Sequence, residues 1–141
     1  MKKKYLIPTY RLQMVKDGEV EGKAITCTRD VIDYMKELKR SDREQVICLY
    51  LNARNIPICK HVVSVGTLNA SLVHPREIFK IAILKNSASF IMVHNHPSGG
   101  LEPSEADVML SGRMKDAGKI MGIEIQDHII VTPDGKSKSI I

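Results

Sequence analysis

Apolar positions along the chain change period several times, and each change predicts an element. Val31, Ile32, Met35 and Leu38 recur at helical spacing, which predicts a helix over residues 29–38, with Thr28 as its cap and Asp30 near the positive end of its dipole. Gln45–Leu51 is apolar almost throughout and reads as a strand buried on both faces. Asn52-Ala53-Arg54-Asn55 has turn composition, so residues 56–65 are expected to return as the second strand of a hairpin. His74-Pro75 opens a second helix, with Pro75 suited to the first helical position and Ile78, Phe79, Ala82 and Ile83 as its inner face. Residues 89–93 form a buried strand, expected beside Gln45–Leu51. Ser104 begins a third helix reaching to about Ala117, where Gly118 can stop it. Residues 123–131 are the last clear strand; Pro133-Asp134-Gly135 is a turn, after which the tail adds a short edge strand. Before all of these, residues 5–15 read as extended, with Pro8 confining them to an edge or to irregular structure. The order predicts an α/β layered domain built on a mixed sheet covered by helices.

Size and composition narrow the reading. A chain of 141 residues is expected to be one domain (1–141), with 1–27 an extended lead-in and 133–141 a basic tail. It is too short for a TIM barrel of about 250 residues, which removes one large class of His-x-His hydrolases. No apolar run approaches the roughly 20 residues of a membrane span and the N-terminus lacks a signal-peptide pattern, so a soluble, cytoplasmic protein without a membrane partner is expected. Cys27, Cys48 and Cys59 are odd in number and widely spaced, suggesting reduced core thiols rather than a disulfide framework or thiolate zinc site. The net charge of +5 resides in Lys2, Lys3, Lys4, Lys136 and Lys138; without them basic and acidic residues balance at 16 each. Such ends give weak, salt-sensitive attraction to nucleic acid, or are solvated termini that aid solubility.

The chemistry concentrates in residues 94–107. His94 and His96 are two apart, so on an extended backbone both imidazoles leave the same face. Asp107 follows a loop rich in Pro and Gly at the start of the third helix, where the chain can fold back to bring a carboxylate over the pair. Two imidazoles and one carboxylate leave a tetrahedral Zn²⁺ with an open position for water, the catalytic rather than the structural pattern. One ion per chain is expected, zinc or another divalent metal, since affinity also follows availability. Ser104-Glu105-Ala106-Asp107 also reads as a capping box, in which Asp107 would answer the Ser104 cap. Ligation is the stronger reading for Asp107, and the two jobs look incompatible. Glu44, at the start of the buried strand, is the choice for proton carrier between the metal-bound water and a leaving amine. Glu37, Glu77, Glu102, Glu105 and Asp42 are its rivals. Gly99-Gly100 supplies positive φ in the loop between ligands or lets a substrate strand approach. His61, His74 and His128 read as structural, with His74 a cap beside Pro75 and His128 held in a strand beside Asp127, although His61 or His128 would matter if a cleft reached either one. Lys115, Lys119 and Arg113 form a solvent face.

A glutamate at a strand start, then His-x-His, seven residues, Ser, two residues, Asp, is similar to the JAB/MPN metalloproteases and their JAMM motif, here Glu44, His94, His96, Ser104 and Asp107. The blocks Gly66-Thr67-Leu68-Asn69-Ala70-Ser71, His74-Pro75-Arg76-Glu77, His94-Asn95-His96-Pro97-Ser98-Gly99 and Asp127-His128-Ile129-Ile130-Val131 resemble the RadC branch, over about residues 28–131. The resemblance implies a three-layer α/β/α sandwich of the cytidine-deaminase-like kind. It implies zinc on His94, His96 and Asp107, Glu44 as general acid/base, Ser104 as oxyanion support, and hydrolysis of amide or isopeptide bonds. RadC proteins often carry a helix-hairpin-helix region ahead of this domain that is missing here, the Lys-Ser-Lys ending departs from the usual end of the branch, and the family's DNA-repair label names no reaction.

The leading expectation is a zinc-dependent metallopeptidase or isopeptidase acting on a peptide or protein amide. The alternative is a DNA-repair-associated or DNA-binding accessory protein whose metal site is structural or vestigial. A two-metal nuclease fits less well, since such sites recruit several carboxylates around metals ~3.5–4 Å apart.

Overall fold

The computed structural model describes residues 6–11, 22–65 and 73–141. Much of the expected N-terminal extension and the block 66–71 lie outside the described residues, as do Lys2, Lys3 and Lys4. Residues 6–11 have no regular structure and are exposed. The elements are α1 (Thr28–Asp33), a 3-10 turn (Lys36–Arg40), β1 (Gln45–Leu51), β2 (Pro57–Val65), α2 (Pro75–Leu84), β3 (Ser89–Asn95), α3 (Glu105–Met121), β4 (Glu124–Val131) and β5 (Ser137–Ser139).

The five strands form one mixed sheet in the order β2-β1-β3-β4-β5. β1 is antiparallel to both β2 and β3, β3 and β4 are parallel across the α3 connection, and β5 closes the far edge antiparallel to β4. β1 therefore lies beside β3, as expected. Every residue of β3 is buried, which fits its central place.

Strand alternation sorts the apolar side chains into two cores. Val46, Cys48, Tyr50, Phe90 and Met92 pack against Ile78, Phe79 and Ala82 of α2 and Leu110 and Met114 of α3. Ile47, Leu49, Leu51, Ile91, Val93, Ile129 and Val131 pack on the other face against Val31, Tyr34, Met35 and Leu38. Helices on both faces make the three layers of an α/β/α sandwich.

Three expectations at helix ends are corrected. The helix expected over 29–38 is α1 followed by a 3-10 turn, because Met35 leaves helical geometry (φ −115°, ψ 27°). Lys60 donates to the freed carbonyl of Tyr34 (3.1 Å), and the Tyr34 hydroxyl donates to the carbonyl of Lys23 (2.8 Å). The buried Val31, Tyr34, Met35 and Leu38 keep their spacing through the break, so periodicity could not reveal it. Thr28 is the first helical residue, not the cap: Cys27 holds that position, and the Asp30 carboxylate takes the amides of Thr26 (2.8 Å) and Cys27 (3.3 Å). Gly118 does not stop α3. The helix runs to Met121 and ends on Gly122 in the left-handed region (φ 68°). Gly118 serves close packing instead, since a Cβ there would sit 2.7 Å from the carbonyl oxygen of Ile123.

In α2, Ile83 is 51% exposed while Ile78, Phe79 and Ala82 face the sheet, so the inner face is narrower than expected. His74 occupies the N-cap, but its side chain makes no capping bond; Pro75 takes the first helical turn, as expected. No helix among the described residues is long and apolar enough to cross a membrane.

Candidate metal centre

The centre forms where β3 ends and α3 begins. On β3, Phe90, Met92 and His94 alternate toward α2 and α3, so the strand carries His94 to the same side as the helices. His96 follows one residue after β3, with its amide donating to the carbonyl of Val131 on β4 (2.9 Å). The chain then turns sharply: Gly99 has φ +90° and its amide donates to the carbonyl of His96 (3.0 Å). Of the two glycines, Gly99 supplies the positive φ. The turn brings the Gly100 carbonyl back over the His96 ring, where Nδ1–H donates to it (2.7 Å).

Asp107 sits at the third position of α3. Ser104 caps that helix by accepting the Asp107 amide at its hydroxyl (3.1 Å), and Asp107 Oδ2 accepts the Ser104 amide (2.8 Å). The capping box is real, and Asp107 nonetheless faces both histidines. Its Oδ1 lies 3.3 Å from His94 Nε2 and its Oδ2 3.2 Å from His96 Nε2, while the two Nε2 atoms are 2.9 Å apart. The cap and a place facing both imidazoles therefore coexist at Asp107. A carboxylate has about four lone-pair directions, and the cap occupies only one.

These three side chains, all buried, are the group among the described residues with ligand atoms close enough to hold one cation. The donor set fits a metal. A tetrahedral site with ligands about 2.0–2.1 Å from the ion has ligand–ligand edges of about 3.3 Å; the two Nε2 atoms are 2.9 Å apart, and each has an Asp107 oxygen at 3.2–3.3 Å, a different oxygen for each ring. His96 must keep its proton on Nδ1 to serve the Gly100 carbonyl, so its Nε2 presents a lone pair toward an ionised carboxylate. Acceptors aimed at one another in a buried place call for a cation between them.

A second ring of residues supports these three side chains. His94 Nδ1 lies 2.6 Å from Nε2 of His128 on β4, and His128 Nδ1 lies 2.5 Å from the Ser111 hydroxyl on α3. Ser111 donates to the carbonyl of Asp107, one turn back (3.1 Å). Burial pushes the His128 imidazole down to about 3, so the ring is neutral near pH 7. Asn95, between the two histidines, is 1% exposed; it donates to the carbonyl of Arg43 (2.8 Å) and accepts the amide of Gln45 (2.6 Å). It thereby clamps the backbone on both sides of Glu44. Sequence reasoning missed the supporting roles of Asn95, Ser111 and His128. Ser111, four residues after Asp107 and on its helix face, was the one with a local signal.

Glu44, half-buried, lines an open cleft of about 420 Å³ with His96, Leu101, Glu102, Ser104 and Asp107. Of its rivals, Glu102 shares the cleft but is 86% exposed and paired with Lys138 (2.9 Å). Glu77 pairs with Lys80 on α2 (3.1 Å), and neither it, Glu105 nor Asp42 lines the cleft. The side chain of Glu37 lies outside the described residues. His61 is exposed on β2.

The family model for the RadC-like JAB domain matches residues 25–140. The chain belongs to that family. Relatives include UPF0758 proteins of Desulforamulus reducens (48% identical, over 76% of this chain and 48% of the relative) and Methanosarcina mazei (45%, over 86% and 53%). Another, of Staphylococcus aureus, is 47% identical over 76% of this chain and 47% of its own. The RadC-like domain described here thus spans about half the length of the curated relatives it matches. It has a JAB-type α/β fold with a His-His-Asp cluster that could hold a metal ion.

Proposed function

We propose that this domain is a zinc-dependent amide hydrolase, a metallopeptidase or isopeptidase, with His94, His96 and Asp107 as the metal ligands. The observation that carries this reading is the buried cluster of two imidazoles and one carboxylate, whose ligand atoms lie within 4.8 Å of one another beside the cleft that Glu44 lines. Zinc held there would supply Lewis acidity, bringing the pKa of water toward ~7 and polarising a carbonyl oxygen.

The chain's own residues supply the rest. Glu44 takes a proton from the attacking water as the oxygen–carbon bond forms, then passes it to the amide nitrogen as the carbon–nitrogen bond breaks. Asn95 fixes the peptide on either side of Glu44, so the carboxylate is aimed from a rigid strand start. Ser104 lines the cleft beside His96 and Asp107, and its hydroxyl is the donor for an oxygen that gains charge in the transition state.

The test is elemental analysis of chelator-free protein coupled to cleavage of a peptide library. Glu44→Gln is expected to retain one metal equivalent and lose turnover, and full turnover in that variant would remove Glu44 from the mechanism. Protein that carries no metal and cleaves nothing, yet binds DNA in a salt-sensitive way unchanged by His96→Ala, would favour the accessory-protein alternative. Lys136 and Lys138 already pair with Asp134 and Glu102, so the C-terminal charge offers that alternative little support.

A further inference from the structure

We infer that His128 is a positioning residue for the metal centre: through Ser111 it links His94, on β3, back to the backbone of Asp107, on α3, so that two ligands from separate elements are held by one closed chain of hydrogen bonds. The inference rests on the metal reading of the site and adds residues outside the ligand set.

The hydrogen bonds run in one direction. The chain's far end is fixed because Ser111 donates its hydroxyl proton to the carbonyl of Asp107 (3.1 Å). Its oxygen is then left to accept, so His128 must donate from Nδ1 (2.5 Å). A neutral imidazole with its proton on Nδ1 has a lone pair on Nε2, and that atom lies 2.6 Å from His94 Nδ1, which must donate in turn. His94 with its proton on Nδ1 is left with a lone pair on Nε2, the atom that faces His96 Nε2 and Asp107 Oδ1. One hydroxyl orientation on α3 thus selects the ligating tautomer two side chains away.

Burial makes the selection strict. His94 and His128 are completely buried and Ser111 is 5% exposed, so water does not replace a lost partner cheaply. The sheet register explains the reach: Met92 pairs with His128 and His94 with Ile130, so His128 lies on the same face as His94, one diagonal step away. His96 gets the equivalent orientation from a local source, the Gly100 carbonyl. His94 lies within β3, and its Nδ1 partner comes from the neighbouring strand β4.

The test is Zn²⁺ affinity by competition with a chelator in the wild-type chain, His128→Phe, His128→Gln and Ser111→Ala, with the metal-free fold followed by circular dichroism. His128→Phe should bind zinc about 10–100-fold more weakly, the usual cost of losing an outer partner of a ligating histidine. His128→Gln should recover part of the loss, since its amide both accepts and donates. Ser111→Ala should weaken binding in the same direction by less, and it carries the test should His128→Phe fail to fold. Nitrogen-15 NMR of the zinc-loaded wild type should place the His128 proton on Nδ1, a readout that a purely packing role would not fix. Unchanged affinity in Ser111→Ala and His128→Gln together with a proton on Nε2 of His128 overturns this inference alone. A wild-type chain that takes up no zinc overturns the metal reading and this inference with it.

Discussion

Two aspartates begin two helices in the same way and end up with different work. Asp30 and Asp107 each sit at the third position of a helix, each folds back to accept the amide of its own N-cap residue, and each is buried, 5% and 1% exposed. At Asp30 the remaining acceptor sites are filled from nearby in the chain: the Lys23 ammonium (2.7 Å), the Thr26 amide (2.8 Å) and the Thr26 hydroxyl (2.6 Å). At Asp107 they are aimed at two imidazole nitrogens that themselves offer lone pairs. The first carboxylate is saturated and holds a helix start. The second faces two imidazoles and has no lysine or arginine partner among the described residues, which suits a place in a cluster that could hold a metal ion. A capping box therefore does not argue against metal binding; what fills the other lone pairs decides.

The largest expected effect breaks the pair apart. Asp107→Ala should weaken zinc binding by more than the ~10–100-fold that an outer-shell loss costs. It should also abolish the zinc-dependent gain in unfolding free energy, about 4 kcal/mol when free zinc is 1,000 times Kd. Asp30→Ala should lower the stability of the metal-free protein and leave that zinc increment intact. Urea unfolding with and without zinc checks both. An increment that survives in Asp107→Ala would mean that the two aspartates do not differ in the way the contacts indicate.

Acid separates them further. The Lys23 ammonium, then the Thr26 hydroxyl and amide, hold the Asp30 carboxyl well below the carboxylate range. The folded pKa lies below the unfolded value of about 3.9, so on acidification the unfolded chain takes up the proton first. The stability Asp30 contributes is thus present above pH ~4 and lost as pH falls below it. In zinc-free buffer the gap between wild type and Asp30→Asn should narrow between about pH 6 and pH 3. Asp107 is shared by both proteins and drops out of the difference. A gap that stays constant would mean that Asp30 is an ordinary surface carboxylate.

Much of this was legible in the sequence, and the reason is locality. Gln45–Leu51 reads as a strand because unbroken burial on two faces leaves an unbroken apolar run, and the hairpin turn reads from Asn52 and Asn55, the latter at φ 59°. The His94, His96 and Asp107 cluster reads from spacing plus a loop. Less visible was whatever depends on a partner far along the chain. The break at Met35 follows from contacts of Tyr34 with Lys23 and Lys60. Gly118 and Gly122 are alike in sequence; the approach of Ile123 to the first and the left-handed φ of the second separate their roles. His128 looked structural because the ring that gives it a purpose is 34 residues away.

The seat of α3 offers the finest test of why Asp107 is aimed while Asp30 is merely held. Gly112 and Gly118 both lie in that helix; a Cβ at Gly112 would meet nothing within 4 Å, whereas one at Gly118 would press on the Ile123 backbone at 2.7 Å. Gly112→Ala should therefore stabilise by about 0.5–1 kcal/mol, the entropy of a helical glycine recovered. Gly118→Ala should destabilise by about 1–2 kcal/mol, because the carbonyl it meets is backbone and must shift. If the packing of α3 on the start of β4 also sets the direction of its first turn, Gly118→Ala will weaken zinc binding as well as stability, while Gly112→Ala leaves affinity unchanged. Paired measurements of unfolding and zinc competition on the two variants decide this. Equal zinc affinity in both would mean that the capping box alone orients Asp107, with the far end of the helix serving stability only.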